Sequence, residues 1–288
     1  MPNSEQIPPA VVITGASTGI GAACAVELDR RGFRVFAGVR KDDDGARLRQ
    51  QTSERLVPVL LDVTDAEAIA AAARQVASVV GDAGLAGLVN NAGIVAAGPL
   101  ELVPIDKLRL QFEVNVIGQI AVTQALLPLL RTARGRVVNM SSISGRLASP
   151  YLGPYASSKF ALEALSDSLR LELRNFGIRV SIVEPASIDT PIWKKSREAA
   201  DQGGKNIPPE LMELYQADLD SMRAATQQIA EKALPVKLVV RAVVHALSAR
   251  RPKIRYPVGG QVRMADFASR FLPARLRDWI VRRELRLP

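Results

Sequence analysis

Cysteine and histidine are nearly missing: the 288 residues hold one of each, Cys24 and His245. A lone cysteine excludes an intramolecular disulfide and fits a reducing compartment. The two residues together are too few for a Cys/His zinc site, and no metal is expected. Any Ser-His-Asp triad would have a single imidazole to draw on. Long hydrophobic runs are also missing. Met1 to Pro9 carries Glu5 and adjacent prolines without an apolar stretch, so it does not read as a secretory signal. The most membrane-like stretch, Val114 to Leu130, is broken by Asn115, Gln119 and Gln124 and reads as a buried helix. A soluble, cytoplasmic protein is expected.

Most of the chain also lacks an excess of either charge. Of the net +9, residues 250–288 contribute 11 Lys/Arg against 3 Asp/Glu, while the first 249 residues hold 27 against 26. A nearly neutral body with a basic tail gives no reason to expect nucleic acid as a partner. With 48% hydrophobic and 23% charged residues the composition is globular. A chain of this length buries enough surface to fold without covalent staples.

What is present is alternation. Short apolar, β-branched runs at 10–14, 33–39, 56–61, 85–90, 136–140, 178–183 and 253–256 alternate with segments of three- and four-residue apolar spacing, such as Ile69, Ala72, Ala73, Val76 and Val80. Buried strands separated by helices imply a parallel sheet covered on both faces, here seven strands in one doubly wound α/β domain spanning residues 1–288. The alternation stops after Glu184. From about 186 to 235 no strand is expected. Gln202-Gly203-Gly204 and Pro208-Pro209 mark loops around one or two short helices, an insertion that reads as a lid. Its Ile188, Ile192, Trp193, Leu211, Met212, Leu214, Tyr215 and Met222 either wall an apolar pocket or pack the lid helices.

The first strand runs into Thr14-Gly15-Ala16-Ser17-Thr18-Gly19-Ile20-Gly21 and then a helix. Gly15 permits the tight turn, Gly19 lets backbone approach a pyrophosphate, and Gly21 lets the helix pack on the sheet. The open N–H groups of that helix favour an anion. About twenty residues on, at the end of the second strand, the residue that meets the adenosine ribose is basic, Arg40. Arginine suits a 2′-phosphate, so NADP(H) is expected over NAD, unless Asp42, Asp43 and Asp44 cancel its field. Asp62, ending the third strand next to Val63, is placed to accept from an adenine amino group.

Tyr155 and Lys159, four apart, share one helix face. A phenol with a pKa of about 10 is a poor base at neutral pH, and lowering it three units takes about 4 kcal/mol. An ammonium about 4 Å away at an effective dielectric of about 20 supplies that much. Ser142 follows the fifth strand and Asn91-Ala92-Gly93 follows the fourth. Ligands of open α/β sheets bind at that carboxyl edge. Asn115 lies inside an apolar helix, where a buried amide needs partners.

Over Pro9 to Tyr256 these motifs resemble the short-chain dehydrogenase/reductase family, on the branch of retinol and hydroxysteroid dehydrogenases. The latter likeness rests on the stretch Phe176 to Pro185. The resemblance implies a Rossmann-type fold and a hydride exchanged between nicotinamide and a carbonyl or secondary alcohol. It implies Tyr155 as proton donor and acceptor, and Lys159 lowering its pKa and binding the nicotinamide ribose. Ser142 would orient the substrate oxygen, Asn115 would hold a water in a relay to Lys159, and Pro185, Ile188 and Thr190 would contact the cofactor. Ala186 departs from the family's usual glycine and is expected to shift the start of the lid. The substrate expected is small and apolar: retinoid-, steroid- or lipid-like. A small alcohol or 3-oxoacyl compound with NAD, or a non-catalytic nucleotide sensor, are the alternatives. A homodimer or homotetramer is implied.

The basic extension, 261–288, reads as two amphipathic helices parted at Pro273. It either docks on the body or a partner subunit, or makes weak contact with an anionic membrane surface. His245 reads as a packing residue.

Overall fold

The computed structural model describes residues 8–193 and 208–287. Seven parallel strands form one sheet: β1 (Ala10–Ile13), β2 (Arg34–Val39), β3 (Leu56–Leu60), β4 (Gly87–Asn90), β5 (Arg136–Met140), β6 (Arg179–Pro185) and β7 (Arg255–Val258). Their order is β3-β2-β1-β4-β5-β6-β7, so the chain reverses direction across the sheet between β1 and β4. Side chains alternate between the faces. Val11 and Ile13 enter one apolar layer with α1 (Gly19–Arg30) and α8 (Lys237–Ser248). Ala10 and Val12 enter the other with α3 (Ala66–Val80) and α5 (Gly118–Ala133).

The expected strands all appear, with most ends displaced by one or two residues. Leu85 gives its N–H to Leu129 O, so β4 starts two residues late. At the start of β7, Lys253 gives its N–H to the Tyr256 hydroxyl at 2.9 Å, and Ile254 O already accepts from Ile182 N of β6 at 2.8 Å. Between β2 and β3 lies α2 (Asp42–Arg49).

The Val114–Leu130 run is helical and continuous with α4 (Ile105–Phe112), the join being a π-turn over Glu113–Ile117. The whole piece, Ile105–Ala133, is long enough to cross a membrane and contains an 18-residue window of mean hydropathy 1.3. Here it packs against α3 and β4.

The lid differs from expectation. Within the described residues it holds a helix longer than expected, α7 (Pro209–Glu231), and a helical start at Ile192 and Trp193. The Gln202–Gly204 turn lies outside the described residues. Ala186 causes no displacement: its N–H bonds Val258 O at 3.0 Å and simply extends the β6–β7 ladder, in which Pro185 pairs with Val258. The methyl is accommodated because Gly259 has no Cβ; one there would stand 3.0 Å from the Ala186 Cβ. Beyond β7, α9 (Gly260–Phe271) and α10 (Ala274–Glu284) are parted at Pro273.

Candidate active site

The glycine turn joins β1 to α1 at the carboxyl edge, beside the switch point. Gly15 and Gly19 have φ of +63° and +59°, a region that favours glycine. A Cβ on Gly15 would stand 2.8 Å from Ala92 Cα, and one on Gly21 2.3 Å from Gly15 O. Glycine is therefore required by close approach as well as by conformation. Thr18 begins α1 without capping it through its side chain, and no acid lies in the first turn. The first N–H groups of α1, beside Ser17 and Ile20, are thus available to an anion. This open cradle fits the pyrophosphate of a dinucleotide.

Thr14 welds this turn to the next strand. Its hydroxyl accepts the N–H groups of Asn91 and Ala92, both at 2.9 Å. Asn91 Nδ2 returns to Thr14 O and Gly15 O at 3.0 Å each. Thr190, after β6, reaches the same turn: a Cβ on Gly19 would meet Thr190 Cβ at 3.4 Å. Pro185 ends β6, and Ile188 is buried and bridges to Leu234. The rim is completed by Asp62 and Val63 after β3.

Arg40 is exposed just after β2. Burial works to raise the Asp62 carboxyl, but hydrogen bonds from Thr64 N–H (2.9 Å) and hydroxyl (2.8 Å), with the Arg40 charge, hold it below the carboxylate range. Both bonds fall on Oδ1, leaving Oδ2 for an adenine amino donor. Asp44 is ion-paired with Arg47, so one of the three acids beside Arg40 is already engaged.

A polar stripe that the sequence reading left unconnected organises the segment after β4. Gln111, Asn115, Gln119 and Thr123 lie four apart along one helix face, each buried. Gln111 accepts from Ala96 N at 2.6 Å and donates to Ile94 O at 2.9 Å. Asn115 accepts from Ile94 N at 2.9 Å and donates to Ile94 O at 3.0 Å. Gln119 donates to Ala92 O at 3.0 Å, and Thr123 accepts from Asn90 Nδ2 at 2.9 Å. The helical spacing of these four residues was readable in the sequence, but the backbone that they face was not. Asn115 sits in the π-turn, a distortion common at functional sites. Its second N–H goes to Ser158 Oγ at 3.2 Å, and Ser158 donates to Tyr155 O at 2.7 Å. With both donors taken, the Asn115 side chain braces this segment.

Ser142, Tyr155 and Lys159 converge, all buried. Ser142 starts a 3₁₀ turn (Ile143–Gly145) and accepts Ser144 N–H at 3.1 Å. Tyr155 and Lys159 lie on α6 (Gly153–Glu172), and Lys159 Nζ donates to Met140 O at 2.8 Å. The ammonium is 5.7 Å from the Tyr155 ring centroid. The expected lowering of Tyr155 is not what the structure shows. Burial pushes the phenol above its usual value, and the hydrogen bond with Ser142 only partly offsets this. Burial also pulls Lys159 down to about 8, against the pull of Glu163. The same desolvation that opposes a phenolate opposes the ammonium meant to stabilise it.

From the lid, Trp193 meets the Tyr155 ring edge-on at 6.3 Å, so this side of the pocket is apolar. Leu214 is 73% exposed and walls nothing. Two phenol–carboxylate bonds tie α7 to the body, Tyr151 to Asp218 and Tyr215 to Glu101. Cys24 is fully buried and its thiol is pushed up to about 12 by burial, an inert core group. His245 bonds the Tyr256 hydroxyl at 2.8 Å, a packing contact as expected.

A parallel sheet with a glycine cradle at its switch point, and Ser142, Tyr155 and Lys159 buried at the same edge, define a dinucleotide-dependent oxidoreductase. The comparisons agree. The short chain dehydrogenase family profile matches residues 9–201. The 17-beta-hydroxysteroid dehydrogenase type 6 of Bos taurus is 42% identical over 279 residues, covering 95% of this chain and 87% of its own. Retinol dehydrogenase 5 of Mus musculus is 40% identical over 283 residues, covering 95% and 89%. A solved short chain dehydrogenase from Burkholderia cenocepacia, in complex with NADP, superposes with a TM-score of 0.71 at 26% identity, covering 98% of each chain. The chain belongs to the short-chain dehydrogenase/reductase family, in its retinol and hydroxysteroid dehydrogenase branch, and is an NAD(P)-dependent oxidoreductase acting on alcohol groups.

Proposed function

We propose that the protein exchanges a hydride between NADP(H) and the carbonyl or secondary alcohol of an apolar, retinoid-, steroid- or lipid-like substrate, with reduction the direction in the cell. The observation that carries this reading is the convergence of Ser142, Tyr155 and Lys159 beneath an apolar lid surface. The bound nicotinamide supplies or accepts the hydride. Ser142 holds the substrate oxygen, Tyr155 passes the proton, and Lys159 supplies the positive charge behind it. Asn115, through Ile94 and Ser158, ties the segment after β4 to the helix that carries Tyr155 and Lys159, and holds a water in the relay to Lys159. Arg40 supports the 2′-phosphate, and the names of the relatives support an apolar substrate.

The protein is placed in the cytoplasm as a homodimer or homotetramer. Exposed Leu110, Ile117, Phe160 and Leu171 on the two longest body helices offer the apolar surface for assembly. The tail takes both roles considered for it. Val262 and Ala265 dock α9 on the body, while Met264, Phe267, Phe271 and Trp279 face outward among arginines and would touch an anionic membrane.

Tyr155→Phe is the test. Carbonyl reduction with NADPH should fall at least about 1,000-fold, general acid catalysis being worth about 10²–10⁴, with cofactor affinity nearly unchanged. Retained turnover overturns the reading.

A further inference from the structure

Behind Lys159 lies a buried ionic cluster that the proposed chemistry does not use. Glu163 is one helical turn beyond Lys159 on α6, and Glu184 is the penultimate residue of β6. Their side chains are 7% and 4% exposed. Arg146, one residue past the Ser142 turn, holds Glu163 at 3.1 Å and Glu184 through Nε at 2.7 Å. Arg255 of β7 holds Glu163 at 3.2 Å, Glu184 at 3.6 Å and Asp167 at 2.6 Å. Asp266 of α9 reaches Arg146 at 3.7 Å. The cluster thus ties together the Ser142 turn, the lysine helix, the last two strands and the tail. Asp167 is also held by Arg170 at 3.2 Å and Asp266 by Arg270 at 3.1 Å, so Arg146 and Arg255 serve chiefly the two buried carboxylates, Glu163 and Glu184. Glu163 Oε1 has no hydrogen-bond partner although buried, which leaves part of that carboxylate's field free to act on its neighbours.

We propose that Glu163 is a positioning residue for the Tyr155–Lys159 couple: clamped between Arg146 and Arg255, its carboxylate keeps the buried Lys159 ammonium charged. The inference rests on the reading of Tyr155 and Lys159 given above. A lysine stripped of water without a nearby anion loses its proton. Glu163 supplies that anion one turn away, and it is the charged group that raises Lys159 against burial. Glu184 is raised to about 7, by burial first and then by Glu163.

The test is the pH profile of kcat for NADPH-dependent carbonyl reduction by the full chain. In Glu163→Gln the alkaline limb should move about one unit to lower pH, while NADPH affinity below that limb holds. Glu163→Asp, which keeps the charge, should restore most of the shift. Glu184→Gln perturbs the same arginines from a different strand and should leave the limb in place. Equal shifts in Glu163→Gln and Glu184→Gln, or none in either, overturn the proposal. A second variant covers poor folding of Glu163→Gln: Lys159→Arg, slow but always charged, should lose the alkaline limb, and retention of the limb at its native pH also overturns the proposal. If Tyr155→Phe is inactive while the Glu163→Gln limb stays put, this inference alone fails. If Tyr155→Phe turns over normally, the reading beneath it fails first.

Discussion

Replacing Thr14 by valine removes one buried hydroxyl without changing shape, and that hydroxyl is the acceptor for two backbone N–H groups after β4, beside the bonds that Asn91 Nδ2 makes to Thr14 O and Gly15 O. Two N–H groups, of Asn91 and Ala92, lose their acceptor at 2.9 Å. The longer contact from Thr14 Oγ1 to Val89 O, at 3.5 Å, adds little. A backbone donor left unsatisfied costs about 1–3 kcal/mol, so two cost about 2–6 kcal/mol. That is a large share of the roughly 5–15 kcal/mol that keeps a native protein folded. Asn91 also braces Gly15 O, so the loss spreads into the cradle and should weaken dinucleotide binding about tenfold or more. Urea unfolding gives the first quantity and fluorescence titration with NADPH the second. Thr14→Ser, which keeps the hydroxyl, should sit within about 1 kcal/mol of native because it loses one methyl group. If Thr14→Val unfolds at the native urea midpoint and binds NADPH as tightly as native, the weld is not structural and the reasoning is wrong.

Arg40→Asp should lower kcat/KM for NADPH about 10- to 100-fold, the worth of a charge-assisted contact, and narrow the gap to NADH; a native enzyme that already prefers NADH removes the assignment. Deleting residues 261–288 should abolish pelleting with anionic liposomes but leave neutral liposomes unaffected; equal, negligible pelleting of both proteins removes the membrane contact.

The fold was legible because its strands are buried on both faces and therefore read as near-continuous apolar runs between amphipathic helices. The glycine turn was legible for a similar reason, since Gly15, Gly19 and Gly21 answer to local constraints. Three things were hidden. The lid helix Pro209–Glu231 has one buried residue, Ala225, so its apolar pattern is weak and its length could not be read. The Gln111–Thr123 stripe needs knowledge of what it faces, the backbone of residues 90–96. The cluster around Glu163 joins residues from α6, β5's following turn, β6, β7 and α9, distant in sequence and ordinary when taken singly.

The behaviour of Tyr155 was misjudged for a reason general to buried catalytic pairs. The sequence argument set a fully charged lysine beside a phenol in a medium of effective dielectric about 20 and asked only for the Coulomb energy. Burial strengthens that attraction, but it also charges both partners for lost hydration. In the free protein the second effect wins: the phenol rises and the ammonium falls to about 8. The two shifts move the proton affinities apart, leaving the lysine below the tyrosine. Near pH 8 the lysine is therefore the group whose charge is in doubt, and whatever fixes it governs the tyrosine as well. Met140 O supplies a dipole at 2.8 Å, enough to orient Nζ. A dipole cannot replace a counter-charge at that depth, which is why the nearest buried carboxylate, and not the tyrosine's own surroundings, is where the pH response of this site should be sought.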